Sequence, residues 1–244
     1  MSSLLLMNIL DVARSLGSDP LNAEPEAVAA FIRREFRNKG GTFNYNTSIT
    51  SLPALFEGQK TVDEAVAFCL AKGSPAGRVQ NANAIEIAGA YASSKRSKCY
   101  RIPFSAVPIG RLAGGHTAFM AIKAPLVRVK RPDIFVVVPG FRLGHRPRGT
   151  EIDVAASFAV ATFARDDFHE ADYEYLDCSR GLSGERELSV YQGRDRRLFT
   201  LDEVDHMLDI YVRGLAFAIQ SGMPAEAPNF RGYKIIDPDQ PRMV

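Results

Sequence analysis

The stretch IFVVV, from Ile134 to Val138, decides the fold class. Its five residues are all apolar and four are β-branched, which is typical of a strand covered on both faces, since a strand with one wet face alternates apolar and polar residues. A helix is predicted next, from Thr150 to about Ala164, with Asp153 completing a capping-box-like start. A further strand is predicted from Tyr173 to Cys178. This order of strand, helix and strand predicts an α/β fold.

The flanking segments extend this unit. Apolar residues at helical spacing predict four N-terminal helices, over Leu4 to Leu16, Pro25 to Phe36, Val62 to Ala71 and about Ala82 to Ser93, with a loop from Thr42 to Ser51. Strands are predicted at Lys98 to Phe104 and within Thr117 to Lys130, and a last helix from Leu201 to Gln220. We expect an α/β (α+β) fold in which a helical N-terminal part precedes a central mixed sheet flanked by two long helices.

Length and composition indicate one globular domain over residues 1–244. It is expected to comprise a mainly helical lobe (1–94), a sheet-containing core (95–222) and an extended C-terminal arm (223–244). The chain has three cysteines and no CxxC spacing, which favours a reducing compartment. The longest nearly apolar run, Val154 to Ala164, is about half of a bilayer span. These features predict a cytoplasmic protein without a membrane partner.

Charge is distributed unevenly along the chain. Residues 95–148 contain twelve basic residues and one acid, Asp133, a balance of +11, whereas residues 149–212 have a balance of −9. Clustered arginines and lysines suit a phosphate backbone because they displace its counterions. The sequence therefore predicts nucleic acid, DNA or RNA, as the partner, and we expect other protein subunits as further partners. The predicted phosphate-contacting residues are Arg101, Arg111, Lys123, Arg128, Lys130, Arg131, Arg142, Arg146 and Arg148.

Two other interpretations of this charge pattern stay open. The acidic segment can pack beside the basic one and neutralise it within the fold. Alternatively, the basic surface of one copy can meet the acidic surface of the next, which would make a self-assembling structural protein. Three aromatic residues in the basic stretch, Tyr100, Phe104 and Phe119, offer stacking faces to bases only if they are exposed.

A second function class is a metal-dependent nuclease or hydrolase. Asp133, Glu151 and Asp153 flank the apolar strand and are candidate catalytic ligands of a divalent cation, if the fold brings them together. The order of elements from Ala82 to Cys178 is also compatible with a PD-(D/E)xK nuclease core, although the Asp or Glu, one residue, then Lys signature is missing.

The last predicted helix carries a second set of candidate metal ligands. Four polar residues at helical spacings of three and four lie on one side of it, namely Asp202, Asp205, His206 and Asp209. This side lies opposite the apolar stripe, which also fits an ordinary solvated face. No cofactor motif is present, and the sequence leaves open whether the protein is an enzyme.

Overall fold

The computed structural model describes residues 3–37, 43–193 and 196–236, which form seven α-helices and nine β-strands. The helices are α1 (Ile9–Ser15), α2 (Pro25–Arg37), α3 (Asn46–Phe56), α4 (Val62–Ala71), α5 (Arg78–Ser94), α6 (Gly149–Phe163) and α7 (Leu201–Gln220). The strands are β1 (Leu6–Asn8), β2 (Lys98–Arg101), β3 (Ser105–Arg111), β4 (Thr117–Ile122), β5 (Leu126–Lys130), β6 (Asp133–Gly140), β7 (Asp172–Asp177), β8 (Ser189–Gln192) and β9 (Lys234–Ile235). One sheet has the order β1-β4-β3-β9 and the other β2-β5-β6-β7-β8.

β6 and β7 form the parallel centre of the five-stranded sheet. Their pairing runs from Phe135 opposite Asp172 to Gly140 opposite Asp177. α6 makes the crossover between them, because parallel neighbours cannot be joined by a tight turn. The carboxyl ends of both strands and the first turn of α6 therefore meet at one end of the sheet. Residues 140–151 and 177–180 are termed the carboxyl edge.

β6 is buried on both faces, as the IFVVV stretch predicts. Val136 and Val138 pack in a hydrophobic cluster that includes Phe158 of α6 and Tyr211 of α7. Val137 faces the opposite way, into a second cluster formed largely by α3, α4 and α5. Successive residues of one strand thus serve two cores, which is why the stretch contains no polar residue.

The four-stranded sheet ends in very short strands. β1 pairs in parallel with β4, and β9 pairs in parallel with β3. The Lys234 N–H donates to the Phe104 carbonyl at 2.8 Å, and the Ile236 N–H donates to the Ala106 carbonyl at 2.9 Å. The described part of the predicted C-terminal arm therefore adds a strand to the sheet, and residues 237–244 lie outside the described residues.

The predicted fold class is confirmed, with a helical N-terminal part and a mixed α/β core whose strands divide between two sheets. α4 and α7 match their predicted bounds. Each begins after a threonine, Thr61 or Thr200, whose side chain forms a capping box with the glutamate three residues later. None of the described helices has the length and apolar composition of a bilayer-spanning segment.

Two local predictions were wrong. Leu6–Asn8 was expected to be helical, but its backbone pairs with β4 and forms a strand. The predicted loop from Thr42 to Ser51 contains the start of α3 at Asn46. Its serines are compatible with a buried helix because they find partners there: the Ser48 hydroxyl donates to Asn81 Oδ1 at 2.9 Å. Pattern alone does not reveal such partners.

A buried ion pair links the middle of the five-stranded sheet. Arg128 of β5 donates from Nε to Glu174 Oε2 at 2.8 Å and from Nη2 to Oε1 at 2.5 Å. Tyr91 Oη and Gln192 Nε2 also donate to Oε1, at 2.6 and 3.0 Å. Burial alone would lower the pKa of Arg128, but Glu174 more than offsets it and raises the pKa. Four hydrogen bonds thus converge on the Glu174 carboxylate, which offsets the cost of burying its charge.

Removal of one partner from this pair is expected to destabilise the protein strongly. Glu174→Ala leaves the Arg128 guanidinium buried without its carboxylate, so the free energy of unfolding should fall by about 3–5 kcal/mol in urea denaturation at neutral pH. The control is Asp209→Ala, which removes an exposed partner of Arg213 and should change stability by less than about 1 kcal/mol. Equal effects of the two variants would contradict a structural role for the buried pair.

Candidate functional site

The loop from Phe141 to Arg148 dominates the carboxyl edge. Its sequence, FRLGHRPR, carries three arginines and one histidine in eight residues. Both terminal nitrogens of Arg142 donate to the Asp11 carboxylate on α1. Arg14 lies 3.6 Å from the same carboxylate and 3.7 Å from Glu35. These ion pairs attach the start of the loop to α1 and α2 and compensate the charge of Arg142.

His145 and Glu151 form the second polar pair of the carboxyl edge. His145 Nε2 lies 2.6 Å from Glu151 Oε2, and the same oxygen accepts the Arg148 backbone N–H at 3.2 Å. Burial alone would raise the pKa of Glu151, but the hydrogen bond and charge of His145 and the Arg148 N–H lower it below its ordinary value. The pair therefore fixes the end of the loop to the first turn of α6.

A cavity of about 10 Å³ lies behind these pairs, lined in part by Tyr175, Gly140 and Glu151. This is the space of about one water molecule. Tyr175 is buried, and its ring and hydroxyl occupy the place where a Cβ at residue 140 would lie, so glycine is needed there. Burial raises the pKa of Tyr175. This cavity is too small to hold a ligand larger than water.

Arg186 lies on the segment between β7 and β8 and holds the carboxyl edge in place through hydrogen bonds to its backbone. Its Nη1 donates to the carbonyls of Phe141 and Cys178 at 2.9 and 2.6 Å. Its Nη2 donates to Tyr45 Oη at 2.8 Å and to Gln80 Oε1 at 3.2 Å. One guanidinium thus connects the basic loop, the end of β7 and the N-terminal helical part. Sequence reasoning missed it, because Arg186 stands in a polar turn with no distinguishing spacing.

Three arginines of the carboxyl edge remain exposed to solvent: Arg146, Arg148 and Arg180. Within the described ranges, none of the three has a carboxylate at ion-pair distance. The charge of Arg146 acts on the buried Asp177: burial raises the pKa of Asp177, and the Arg146 charge acts in the opposite direction. Asp177 is itself engaged, since it accepts the Ser179 backbone N–H at 3.0 Å. Among the described residues, no carboxylate therefore competes with an external anion for these three arginines.

The structure separates the other predicted phosphate-contacting residues. Lys130, the last residue of β5, and Arg131, in the turn that follows it, are exposed at the end of β6 opposite the carboxyl edge. Arg111 is exposed at the end of β3, in the other sheet. Arg101 lies 3.4 Å from Glu57. The nine residues therefore do not share one face.

Arg128 is buried and Lys123 is only partly exposed, so neither lies with the exposed members of the predicted phosphate-contacting set. Arg128 is buried in the interior, where it forms an ion pair with Glu174 of the acidic segment. Lys123 is half-buried and donates to Asn46 Oδ1 at 2.7 Å. The predicted stacking residues are also engaged within the fold: Tyr100, Phe104 and Phe119 pack against Phe168, Tyr233 and Phe230, respectively.

The three candidate catalytic carboxylates are not brought together. Asp133 is the first residue of β6. Glu151 and Asp153 lie in the first turns of α6, which follows the last residue of β6. The length of β6 alone separates them by about 23 Å. Asp153 is bound by Arg196, whose Nε lies 2.5 Å from Oδ1. A single metal ion therefore cannot take all three as ligands.

The second candidate metal set forms the solvated face of α7. Asp202, Asp205, His206 and Asp209 are all exposed. His206 Nε2 lies 3.0 Å from the Leu21 carbonyl, and Asp209 lies 3.8 Å from Arg213. Across the described part of the chain, no group of three or more His, Cys, Asp or Glu side chains has a geometry that could hold a metal ion.

Comparisons with protein-family models, curated proteins and solved structures found no match. The chemistry of the carboxyl edge therefore rests on its own geometry, in which two ion pairs hold a basic loop in place and three arginines stay exposed.

Substitution of the anchoring arginine should loosen the carboxyl edge. Arg186→Lys keeps the charge but cannot reach four acceptors with a planar fork. Because buried acceptors lose their donors, we expect the free energy of unfolding to fall by about 2–3 kcal/mol in urea denaturation. Arg180→Lys, an exposed neighbour in the same segment, is the control and should change stability by less than about 0.5 kcal/mol. A loss no larger than that of the control would show that Arg186 is not an anchor.

Glu151 should contribute to stability in a pH-dependent way. Its pKa is lower in the folded state than in the unfolded chain, where it is about 4.3. Its contribution is therefore complete above the unfolded value and is lost as pH falls through the folded pKa. The difference in unfolding free energy between the wild type and Glu151→Gln should be largest above pH ~5 and shrink below pH ~4. A difference that grows on acidification would reverse this assignment.

Proposed function

We propose that the protein binds nucleic acid through the carboxyl edge. The observation that carries the proposal is the group of three exposed arginines, Arg146, Arg148 and Arg180, which lack carboxylate partners among the described residues. Guanidinium groups bind phosphate oxygens in a bidentate way, and several of them together displace the counterions of a phosphate backbone.

The position of these arginines supports the proposal. Arg146 and Arg148 precede the first turn of α6, whose backbone dipole favours an anion. The carboxylate in that turn, Glu151, is engaged by His145 and by the Arg148 N–H. In open α/β sheets, ligands commonly bind at the carboxyl ends of parallel strands, where loops converge.

The surrounding ion pairs give this surface a fixed shape. Arg142 is held by Asp11, Asp153 is held by Arg196, and Arg186 binds the backbone at both ends of the edge. The exposed arginines therefore project from anchored backbone, which lowers the entropy lost on binding. The proposal needs no catalysis, since Asp133 lies far from Glu151 and Asp153.

Affinity for oligonucleotides should depend steeply on salt. We expect the binding constant for fluorescent single-stranded and duplex oligonucleotides, measured by anisotropy, to fall as salt concentration rises. Each phosphate contact adds about 0.9 to the slope of log K against log salt for duplex DNA, and about 0.7 for single strands. The variant R146Q/R148Q/R180Q should lose about 2–3 from that slope, because it removes three contacts.

A matched variant removes the same charge elsewhere. R111Q/K130Q/R131Q also eliminates three exposed cations, but at the other sheet and at the opposite end of β6. Its salt slope should stay close to that of the wild type. The proposal is abandoned if the wild type shows a flat salt response, or if both triple variants weaken binding equally, since the second outcome indicates only net charge.

A further inference from the structure

Leu182 is the most exposed large apolar side chain among the described residues. Its exposure is 101%, and that of the next such side chain, Leu201, is 64%. Single exposed leucines are common on protein surfaces. Leu182 differs in its position, because it follows Arg180 of the carboxyl edge by two residues, in the turn between β7 and β8.

Backbone hydrogen bonds fix the shape of this turn. The Gly181 N–H donates to the Glu185 carbonyl at 2.7 Å, and the Gly184 N–H donates to the Gly181 carbonyl at 3.1 Å. The second bond closes a four-residue turn in which Leu182 is the first central residue. Gly184 has a φ of +85°, a conformation that glycine adopts without steric cost. Leu182 therefore projects from backbone that is held in place.

The base of the turn is attached to the carboxyl edge. Arg180 and Arg186 pair as an antiparallel bridge. The guanidinium of Arg186 donates to the carbonyls of Phe141 and Cys178. The turn and the basic loop are thus connected through one side chain, so Leu182 keeps a defined position relative to this edge.

The turn itself carries no net charge. Between Arg180 and Glu187, two arginines balance two glutamates. One of these acids is engaged within the turn, since Glu187 Oε1 accepts the Ser183 hydroxyl at 3.2 Å. The particular contribution of the turn to binding is therefore apolar contact rather than added positive charge.

We propose that Leu182 is an apolar wedge that enters the base stack of a duplex bound at the carboxyl edge, so that the protein favours duplexes containing a mismatched pair. Inserted apolar side chains partly unstack a base step, which costs free energy. This cost is smallest where a base is already mismatched. The inference rests on the proposed function, because the exposed arginines must first hold the duplex.

A base stack suits Leu182 better than a lipid surface does. Binding at a membrane interface needs a broad apolar face. The neighbours of Leu182 in the turn, Gly181 and Ser183, add no large apolar side chain to it. One narrow side chain on a fixed turn instead matches the space between two base pairs.

Binding to two duplexes of equal length tests the inference on the full chain. One duplex is fully paired and the other has a single central mismatch, so both carry the same number of phosphates. By fluorescence anisotropy at one salt concentration, we expect the wild type to bind the mismatched duplex at least about fivefold more tightly. A difference of this kind cannot come from charge alone.

Two leucine variants separate the wedge from general apolar contact. Leu182→Ala should bind both duplexes with affinities within about twofold of each other, because the inserted side chain is lost. Its urea midpoint should stay that of the wild type, since Leu182 is fully exposed. Leu201→Ala is the matched control and should keep the preference, because Leu201 is an exposed leucine beside the acids of the first turn of α7.

A tryptophan at the same position reports insertion directly. The natural chain contains no tryptophan, so emission from Leu182→Trp comes from this position alone. Because aromatic side chains stack on bases, the mismatched duplex should quench this emission and shield the indole from acrylamide. Vesicles of phosphatidylcholine and phosphatidylserine should leave the emission unchanged.

The inference alone is overturned if the wild type binds both duplexes equally and with a steep salt dependence. It is also overturned if Leu182→Ala keeps the preference, or if the emission of Leu182→Trp responds to vesicles and not to the duplex. If neither duplex binds, the proposed function fails together with it.

Discussion

The parallel pairing of β6 with β7 is the constraint on which the carboxyl edge depends. Because the two strands run in the same direction, α6 must cross the sheet between them, and both strand ends arrive at the same side. The basic loop and the segment after Asp177 are then neighbours without being close in sequence. Arg186 strengthens this arrangement by binding the Phe141 and Cys178 carbonyls with one guanidinium.

The buried strand, the crossover helix and the two capped helices could be predicted from the sequence because each has a local signature. IFVVV has no polar residue, and Thr61 and Thr200 each precede a matching glutamate by three positions. The errors fell where a tertiary contact outweighs the local pattern. Leu6–Asn8 has helical spacing but pairs with β4, and Ser48 has the composition of a loop but finds Asn81 inside the fold.

The candidate site was predicted less well, because charge along a chain does not indicate charge in space. The basic and acidic segments are in contact, but not every buried basic residue is paired with an acid of the acidic segment. Glu174 reaches Arg128 through the interior, whereas Arg142 is neutralised by Asp11, from outside both segments. Alternation along a strand predicts which face of the sheet a side chain lies on. It does not predict which residues from other elements lie at the same end of the sheet. For this reason the sequence alone leaves Asp133 and Glu151 as candidate ligands of one metal ion, although the length of β6 separates them.

The edge strands of the two sheets affect whether copies of the chain aggregate at high concentration. The outermost strands are two to four residues long, and Lys98 and Arg101 of the edge strand β2 are exposed. Short or charged borders offer a poor template for intermolecular hydrogen bonding, so they protect against cross-β aggregation. β9 is decisive here, because a chain that ended before Lys234 would leave the seven-residue β3 unprotected.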